Sequence, residues 1–124
     1  LQDPRVISIE KFNARNMTSA DLPFVPDFAV CDVSFISLRL ILPPMMNVLK
    51  QGGEMVTLIK PQFEAGREQV GKGGVVRDEA VRLQVVQSIR EFGESIGLEW
   101  LGYCTSPITG PAGNVEYTAW WRKK

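Results

Sequence analysis

Three charged side chains stand where predicted β-strands begin or end, and together they could carry out proton-transfer chemistry. Asp32 and Lys60 each follow an apolar run, and Glu116 lies near the start of the last predicted strand. A lysine flanked by two carboxylates is normally protonated, and it can then bind a substrate hydroxyl and favour loss of the hydroxyl proton. In a desolvated site the lysine could instead give up its own proton. On spacing alone, a structural ion-pair network explains these residues better than catalysis does.

Composition removes most other reaction chemistries. The 124 residues contain no histidine, which excludes Ser-His and Cys-His catalysis and histidine metal ligands. The two cysteines, Cys31 and Cys104, are distant in sequence and are predicted to be reduced thiols in the core of a cytosolic protein, with a disulfide between them as the less favoured alternative. Proton transfer is left to Lys, Asp, Glu or Tyr side chains, and no metal site is predicted.

One glycine-lysine segment is similar to a phosphate-binding loop but lacks two of its features. Residues 66–72 have the spacing of glycine, four residues, glycine and lysine, but Gly73 follows where a Ser or Thr hydroxyl should hold magnesium. The segment also begins several residues beyond the preceding predicted strand, whereas a phosphate loop turns directly from strand to helix. We therefore interpret it as part of a flexible loop.

Hydrophobic patterning predicts five strands and two helices. The strands are predicted at 5–10, 28–31, 55–59, 98–105 and 115–122, and the helices at 37–49 and from the N-cap Asp78 to residue 96. The second helix carries an apolar stripe that should face the core: Val81, Val85, Ile89, Phe92 and Ile96. Pro43 and Pro44 must lie in a first turn or kink their helix, because proline lacks an N–H donor. Residues 62–77 have no periodicity and are predicted to form a loop.

The alternation of strands and helices predicts an α/β protein with a mostly parallel sheet and an antiparallel last strand. In such sheets, ligands bind beyond the carboxyl ends of the parallel strands. The start of an antiparallel strand lies at that same edge. Asp32, Lys60 and Glu116 are therefore expected to converge there.

Charge and hydropathy argue against membrane insertion. The chain has 14 basic and 14 acidic residues, so its formal net charge is zero. The longest apolar stretch, 40–46, is far shorter than a membrane-spanning helix and contains two prolines. No signal peptide is recognisable in the sequence. A cytoplasmic location without stable membrane insertion is expected.

Four motifs, in order along the chain, resemble those of the TlyA family. They are DVSFISL at 32–38, IKPQFE at 59–64, GKGGVVRD at 71–78 and SPITG at 106–110. Members of that family are hemolysin A-like proteins with an FtsJ-type methyltransferase domain. The resemblance extends over nearly the whole chain.

This resemblance implies a partial Rossmann-like methyltransferase sheet and S-adenosylmethionine-dependent 2′-O-methylation of ribosomal RNA. FtsJ-type enzymes use a Lys-Asp-Lys-Glu tetrad, whose Asp, second Lys and Glu match Asp32, Lys60 and Glu116. Lys60 would activate the ribose hydroxyl, while Asp32 and Glu116 would orient the lysine and keep it positively charged. By the same resemblance, Asn13 and Asp32 would bind the cofactor. A turn-forming role for Asn13 is an equally good interpretation.

The sequence also departs from the family. The N-terminal S4-type RNA-binding domain, the first tetrad lysine and the glycine-rich cofactor loop have no counterpart in these 124 residues. We therefore expect residues 1–124 to be the C-terminal portion of a class I, FtsJ-like methyltransferase domain that is inactive or severely impaired by itself. The predicted strand at 5–10 would lack its neighbours in the sheet, which makes a homodimer plausible.

Two other functions remain open from the sequence. The first is a membrane-lysing protein, as the hemolysin name suggests, although no basic amphipathic surface helix is present. The second is a noncatalytic RNA-binding module that uses Arg67, Lys72 and Arg77 of the loop with the basic end 122–124. Nearby acidic residues nearly neutralise the loop, so a solvated loop explains these charges better.

Overall fold

The computed structural model of the chain describes residues 14–124. The predicted strand at 5–10 and the predicted cofactor residue Asn13 lie outside the described residues. The strands are β1 (Phe28–Cys31), β2 (Glu54–Ile59), β3 (Leu98–Thr105) and β4 (Tyr117–Lys123), and the α-helices are α1 (Leu38–Val48), α2 (Pro61–Glu64) and α3 (Glu79–Ser95). These bounds agree with the predicted elements to within one or two residues, apart from α2.

The four strands form one mixed sheet in the order β1-β2-β4-β3. β1 and β2 pair in parallel, whereas β4 pairs antiparallel with both β2 and β3. β1, β2 and β3 therefore run in one direction. β4 lies between β2 and β3 and runs in the opposite direction. The predicted α/β fold class with an antiparallel last strand is confirmed.

One face of the sheet is buried beneath α1 and α3. Alternate residues of β2 and β4 point to that face, as the two-residue period of a strand requires. They face one another in register as Met55 with Trp121, Thr57 with Ala119 and Ile59 with Tyr117. From the helices, the core receives Leu38, Ile41, Leu42, Met45, Val85, Val86 and Ile89. Of the apolar stripe predicted for α3, Val85 and Ile89 are buried in the core and Phe92 and Ile96 pack against it, whereas Val81 does not reach it.

Trp121 is the largest fully buried side chain and organises this core. Its indole N–H donates to the buried Thr57 hydroxyl at 3.1 Å, so the polar nitrogen has a partner. Its ring contacts Trp100 edge to face, with centroids 4.8 Å apart. Gly93 of α3 lies directly on the ring, since a Cβ at that position would lie 2.1 Å from Cζ3 of Trp121.

The helices resolve one open point of the sequence prediction and add one element to it. Of the two positions that the sequence allowed for Pro43 and Pro44, a first turn or the interior of a kinked helix, they occupy the interior of α1. Within the predicted loop 62–77, the chain forms the short helix α2 and a 3₁₀ turn at Arg67–Gln69. Pro61 occupies the first turn of α2, where its fixed φ favours a helix.

Both cysteines are free thiols, but only one is partly buried. Cys31 is half-buried, whereas Cys104 is exposed, so the prediction of a core position for Cys104 is wrong. The reason is that the end of β3, an edge strand, extends beyond the buried region: its last three residues are all exposed. Among the helices between residues 14 and 124, none is long and apolar enough to cross a membrane.

Gly93→Ala tests the contact between α3 and Trp121. Alanine normally stabilises a helix relative to glycine, but here its methyl group would overlap a rigid, fully buried ring. We expect the substitution to lower the free energy of unfolding by about 1–3 kcal/mol, measured by urea denaturation. Gln87→Ala, on the exposed side of α3, is the control. Unchanged or increased stability of Gly93→Ala would contradict the close packing.

Candidate active site

Lys60 and Asp32 meet at the carboxyl edge of the parallel strands. β2 ends at Ile59 and β1 at Cys31, and each polar residue follows directly. The Lys60 ammonium forms an ion pair with the Asp32 carboxylate and donates to the Ser34 hydroxyl at 3.3 Å. The side chain of Lys60 is only 11% exposed, whereas that of Asp32 is 64% exposed. A buried cation is thus neutralised by a carboxylate that solvent and ligands can reach.

Glu116 lies at the same edge but contacts a different residue. It immediately precedes β4, and the pairing of Ile59 with Tyr117 places it beside Lys60 in the register of the sheet. Its buried carboxylate accepts a hydrogen bond from the Gln62 amide at 2.8 Å. Between residues 14 and 124, no ion pair joins Lys60 to Glu116. The predicted direct contact of the lysine with two carboxylates is therefore observed for Asp32 alone.

The Glu116 carboxylate packs directly against the backbone of Gly110. A Cβ at residue 110 would lie 2.0 Å from Oε2 of Glu116, so any side chain larger than glycine would displace the carboxylate. The Gly110 N–H donates to the Asn114 carbonyl at 2.8 Å, which closes the turn that leads to Glu116. Gly110 therefore determines where the carboxylate can lie.

Asn114 ties residues 74–76, just before α3, to this turn. It is 2% exposed. Its amide oxygen accepts from the Val76 N–H at 3.0 Å, and its amide nitrogen donates to the Gly74 carbonyl at 2.9 Å. These bonds hold the segment before α3 against the segment before β4, two residues from Glu116.

Glu64, at the end of α2, holds the start of α1. Its carboxylate accepts from the Ser37 hydroxyl at 2.6 Å and from the Leu38 N–H at 2.7 Å, and Arg39 lies 3.3 Å away. Burial raises the pKa of Glu64 above its ordinary value, although these two hydrogen bonds and the Arg39 charge oppose the rise. The contact fixes α1, and with it the loop that carries Asp32, to the segment that begins at Lys60.

Cys31 sits beside the ion pair without being suited to nucleophilic chemistry. Burial, together with the nearby Asp32 carboxylate, raises the pKa of its thiol to about 11, and the Lys60 charge opposes the rise only in part. The thiol is thus protonated at neutral pH, and a protonated thiol is a poor nucleophile.

An exposed aromatic side chain lies next to the ion pair. Phe35 is 89% exposed and has a φ of 62°, a left-handed conformation that is uncommon for a bulky residue. Its ring centroid lies 4.9 Å from that of Phe63, and the Lys60 ammonium lies 6.0 Å from the Phe63 ring. A strained, exposed phenylalanine beside a buried lysine is an arrangement typical of functional sites.

Sequence reasoning missed several residues that shape the site. Gln62, Glu64 and Gly110 lie inside the motifs that carry the family resemblance, but composition and spacing gave them no role. Each contacts a residue at least six positions away in the chain, so neither strand nor helix periodicity could have paired them.

Comparison with known proteins identifies the family. The profile of the FtsJ-like methyltransferase family matches residues 1–123. The chain belongs to this family. This membership, and with it the resemblance predicted from the four motifs, is therefore confirmed.

Relatives of this FtsJ-like chain cover nearly all of it. It is 49% identical over 117 residues to YqxC of Bacillus subtilis (94% of this chain, 42% of YqxC). It is 42% identical over 120 residues to a Mycobacterium tuberculosis protein named 16S/23S rRNA (cytidine-2′-O)-methyltransferase TlyA (97% of this chain, 45% of TlyA). The chain thus spans less than half the length of these relatives.

A solved structure supports the fold of the FtsJ-like chain. The crystal structure of a Lactococcus lactis protein described as a hemolysin superimposes with a TM-score of 0.95 at 46% sequence identity. The match covers 99% of this chain and 59% of that protein. The catalytic and cofactor-binding roles of Asp32, Lys60, Glu116 and Asn13 remain predictions.

Glu64→Gln tests the buried carboxylate. An acid whose pKa is raised in the folded chain binds its proton more tightly there, so Glu64 stabilises the fold most below its ordinary pKa of 4.5. Its contribution falls as the pH rises through the higher, folded pKa. We expect the stability of the wild type relative to Glu64→Gln to be greater at about pH 4 than at about pH 7 in urea unfolding.

The exposed Glu68→Gln serves as the control for the loss of one carboxylate. A wild-type advantage over Glu64→Gln that is equal at both pH values, or larger at neutral pH, would contradict the raised pKa of Glu64.

Proposed function

We propose that the protein transfers a methyl group from S-adenosylmethionine to the 2′-hydroxyl of a ribose in ribosomal RNA. One observation carries the proposal: a chain of the FtsJ-like methyltransferase family holds a buried lysine in an ion pair at the carboxyl edge of its sheet. The name of its M. tuberculosis relative specifies the same reaction on ribosomal RNA.

Lys60 is the group that would act on the ribose. An ammonium group has three N–H donors, and the contacts of Lys60 with Asp32 and Ser34 use two of them. The third can donate to a hydroxyl oxygen at the same edge. A positive charge at this oxygen stabilises the negative charge that develops there as the hydroxyl proton passes to solvent water at this exposed edge. The ion pair with Asp32 holds the lysine in place.

The residues present fit the cofactor in part. S-adenosylmethionine, when bound, supplies an electrophilic methyl group. The Asp32 carboxylate is exposed at the carboxyl end of β1, where it can accept hydrogen bonds from ammonium or hydroxyl donors. The other predicted cofactor residue, Asn13, lies outside the described residues.

A single-stranded nucleotide suits the aromatic surface beside Lys60. RNA-binding proteins commonly hold unstacked bases against aromatic side chains. Phe35 offers an exposed ring beside the ion pair, supported by Phe63. A base placed against Phe35 would bring its ribose to the edge where Lys60 lies. This proximity supports an RNA substrate over a small molecule.

Lys60→Ala tests the proposed chemistry. We expect the rate of methyl transfer from tritiated S-adenosylmethionine to ribosomal RNA to fall about 10²–10⁴-fold, because the charge that acts on the hydroxyl is lost. The assay uses the complete gene product that contains these residues. Lys50→Ala, an exposed lysine near the opposite edge of the sheet, should keep the wild-type rate.

Two results would contradict methyl transfer by this site. Wild-type turnover that persists in Lys60→Ala would remove the lysine from the mechanism. RNA binding without any turnover in the wild type would favour a noncatalytic RNA-binding module. Leakage of liposomes that survives both Lys60→Ala and Asp32→Ala would favour a lytic protein.

Asp32→Asn tests the proposed cofactor contact. Loss of one hydrogen bond to a charged group should weaken the binding of S-adenosylmethionine about 10- to 100-fold, measured by calorimetry on the complete gene product. The control is Asp27→Asn, an exposed residue just before the amino end of β1. Equal affinity of the wild type and Asp32→Asn would contradict a role for Asp32 in cofactor binding.

A further inference from the structure

The side-chain amide of Gln62 has a hydrogen-bond partner for its nitrogen but, among residues 14–124, none for its oxygen. Its nitrogen donates to the buried Glu116 carboxylate at 2.8 Å. Its carbonyl oxygen is buried and accepts no hydrogen bond from residues 14–124. Reversing the amide would place the carbonyl oxygen against the carboxylate, and two acceptors repel each other. The carboxylate thus determines which way the carbonyl faces.

A buried acceptor without a donor is unusual in a folded protein. Most buried polar atoms have a partner, and the exceptions call for a specific explanation, such as a functional contact. Among the described residues that are not exposed, the Gln62 carbonyl is the one buried side-chain oxygen or nitrogen in this condition. It belongs to a residue that stands two positions after Lys60 and touches Glu116.

We propose that Gln62 positions Glu116 through its amide nitrogen and accepts a hydrogen bond from the substrate nucleotide through its carbonyl oxygen. The inference rests on the proposed function, since that function supplies the nucleotide. Nucleotides carry hydroxyl and amino donors that could satisfy the carbonyl. Gln62 would thereby couple the presence of substrate to the placement of a carboxylate beside Lys60.

The chain contains a second glutamine–glutamate hydrogen bond with which the bond between Gln62 and Glu116 can be compared. Gln87 donates to Glu91 at 3.1 Å on the exposed side of α3, far along the chain from the site. Gln87→Met therefore removes the same kind of hydrogen bond where no function is proposed. Methionine has nearly the length of glutamine and no strong hydrogen-bonding group.

The first experiment compares Gln62→Met with Gln87→Met in methyl transfer to ribosomal RNA by the complete gene product. For Gln62→Met we expect kcat to fall about tenfold or more, as for the loss of a hydrogen bond to a charged group. The KM for RNA should rise, and the KM for S-adenosylmethionine should stay unchanged. Gln87→Met should match the wild type. Unchanged kcat and KM values in Gln62→Met would overturn the proposal.

A fall in kcat without a rise in the KM for RNA would overturn the contact with the substrate nucleotide. An equal rise in the KM values for S-adenosylmethionine and for RNA would also overturn this contact, because a general disturbance of the carboxyl edge of the sheet would raise both values.

The second experiment tests the contact between Gln62 and Glu116 through protein stability and needs no activity measurement. A cycle of Gln62→Glu, Glu116→Gln and both together is measured by urea unfolding. Gln62→Glu should destabilise because two carboxylates then face each other, and adding Glu116→Gln should restore stability because a donor again faces an acceptor. Additive effects would overturn the pairing. If the wild type transfers no methyl group, the proposed function fails, while this cycle still decides whether Gln62 positions Glu116.

Discussion

Hydrogen bonds and an ion pair from one short segment hold the candidate site together. The segment runs from Lys60 to Glu64, between β2 and the end of α2. Lys60 binds the loop after β1, Gln62 binds the residue before β4, and Glu64 binds the start of α1. Two parts of the chain that are distant in sequence, residues 32–38 and Glu116, are thereby fixed relative to one another. Because three residues of one five-residue segment make these contacts, the geometry of the edge depends on the path of this segment.

The cost of burying charge explains why the contacts are so specific. A buried ammonium or carboxylate is tolerated when hydrogen bonds and an opposite charge replace the lost water. Lys60 has Asp32 and Ser34, and Glu64 has Ser37, the N–H of Leu38 and the Arg39 guanidinium. Glu116 has a neutral amide and no cation within ion-pair distance among residues 14–124. Of the three buried charged groups, Glu116 is thus the most sensitive to what else enters the edge.

Sequence patterns predicted the elements of the fold but not the contacts between their ends. The apolar runs at β1 and β2 and the stripe on α3 are visible as periodicities, and parallel strands bring Asp32 and Lys60 to one edge by geometry alone. The bond between Gln62 and Glu116 joins side chains 54 positions apart and leaves no periodic signal. The left-handed Phe35 could not be predicted either, since that conformation usually marks a glycine. The sequence left open whether Pro43 and Pro44 begin α1 or lie within it, because proline propensity does not report the core contacts that α1 makes on both sides of them.

The position of β4 within the sheet has a consequence for how the chain folds during synthesis. β4 is the last strand along the chain, yet it separates β2 from β3. Among residues 14–124, β3 pairs with β4 alone, so β3 is made before its partner, and Trp121, around which α3 packs, is made later than α3 itself. Domains commonly begin to fold from the amino end as they are made, but this sheet can close only after residues 117–123 have emerged. Until then, the edge of β3 that β4 will cover has unpaired N–H and C=O groups, the kind of edge at which another chain can pair.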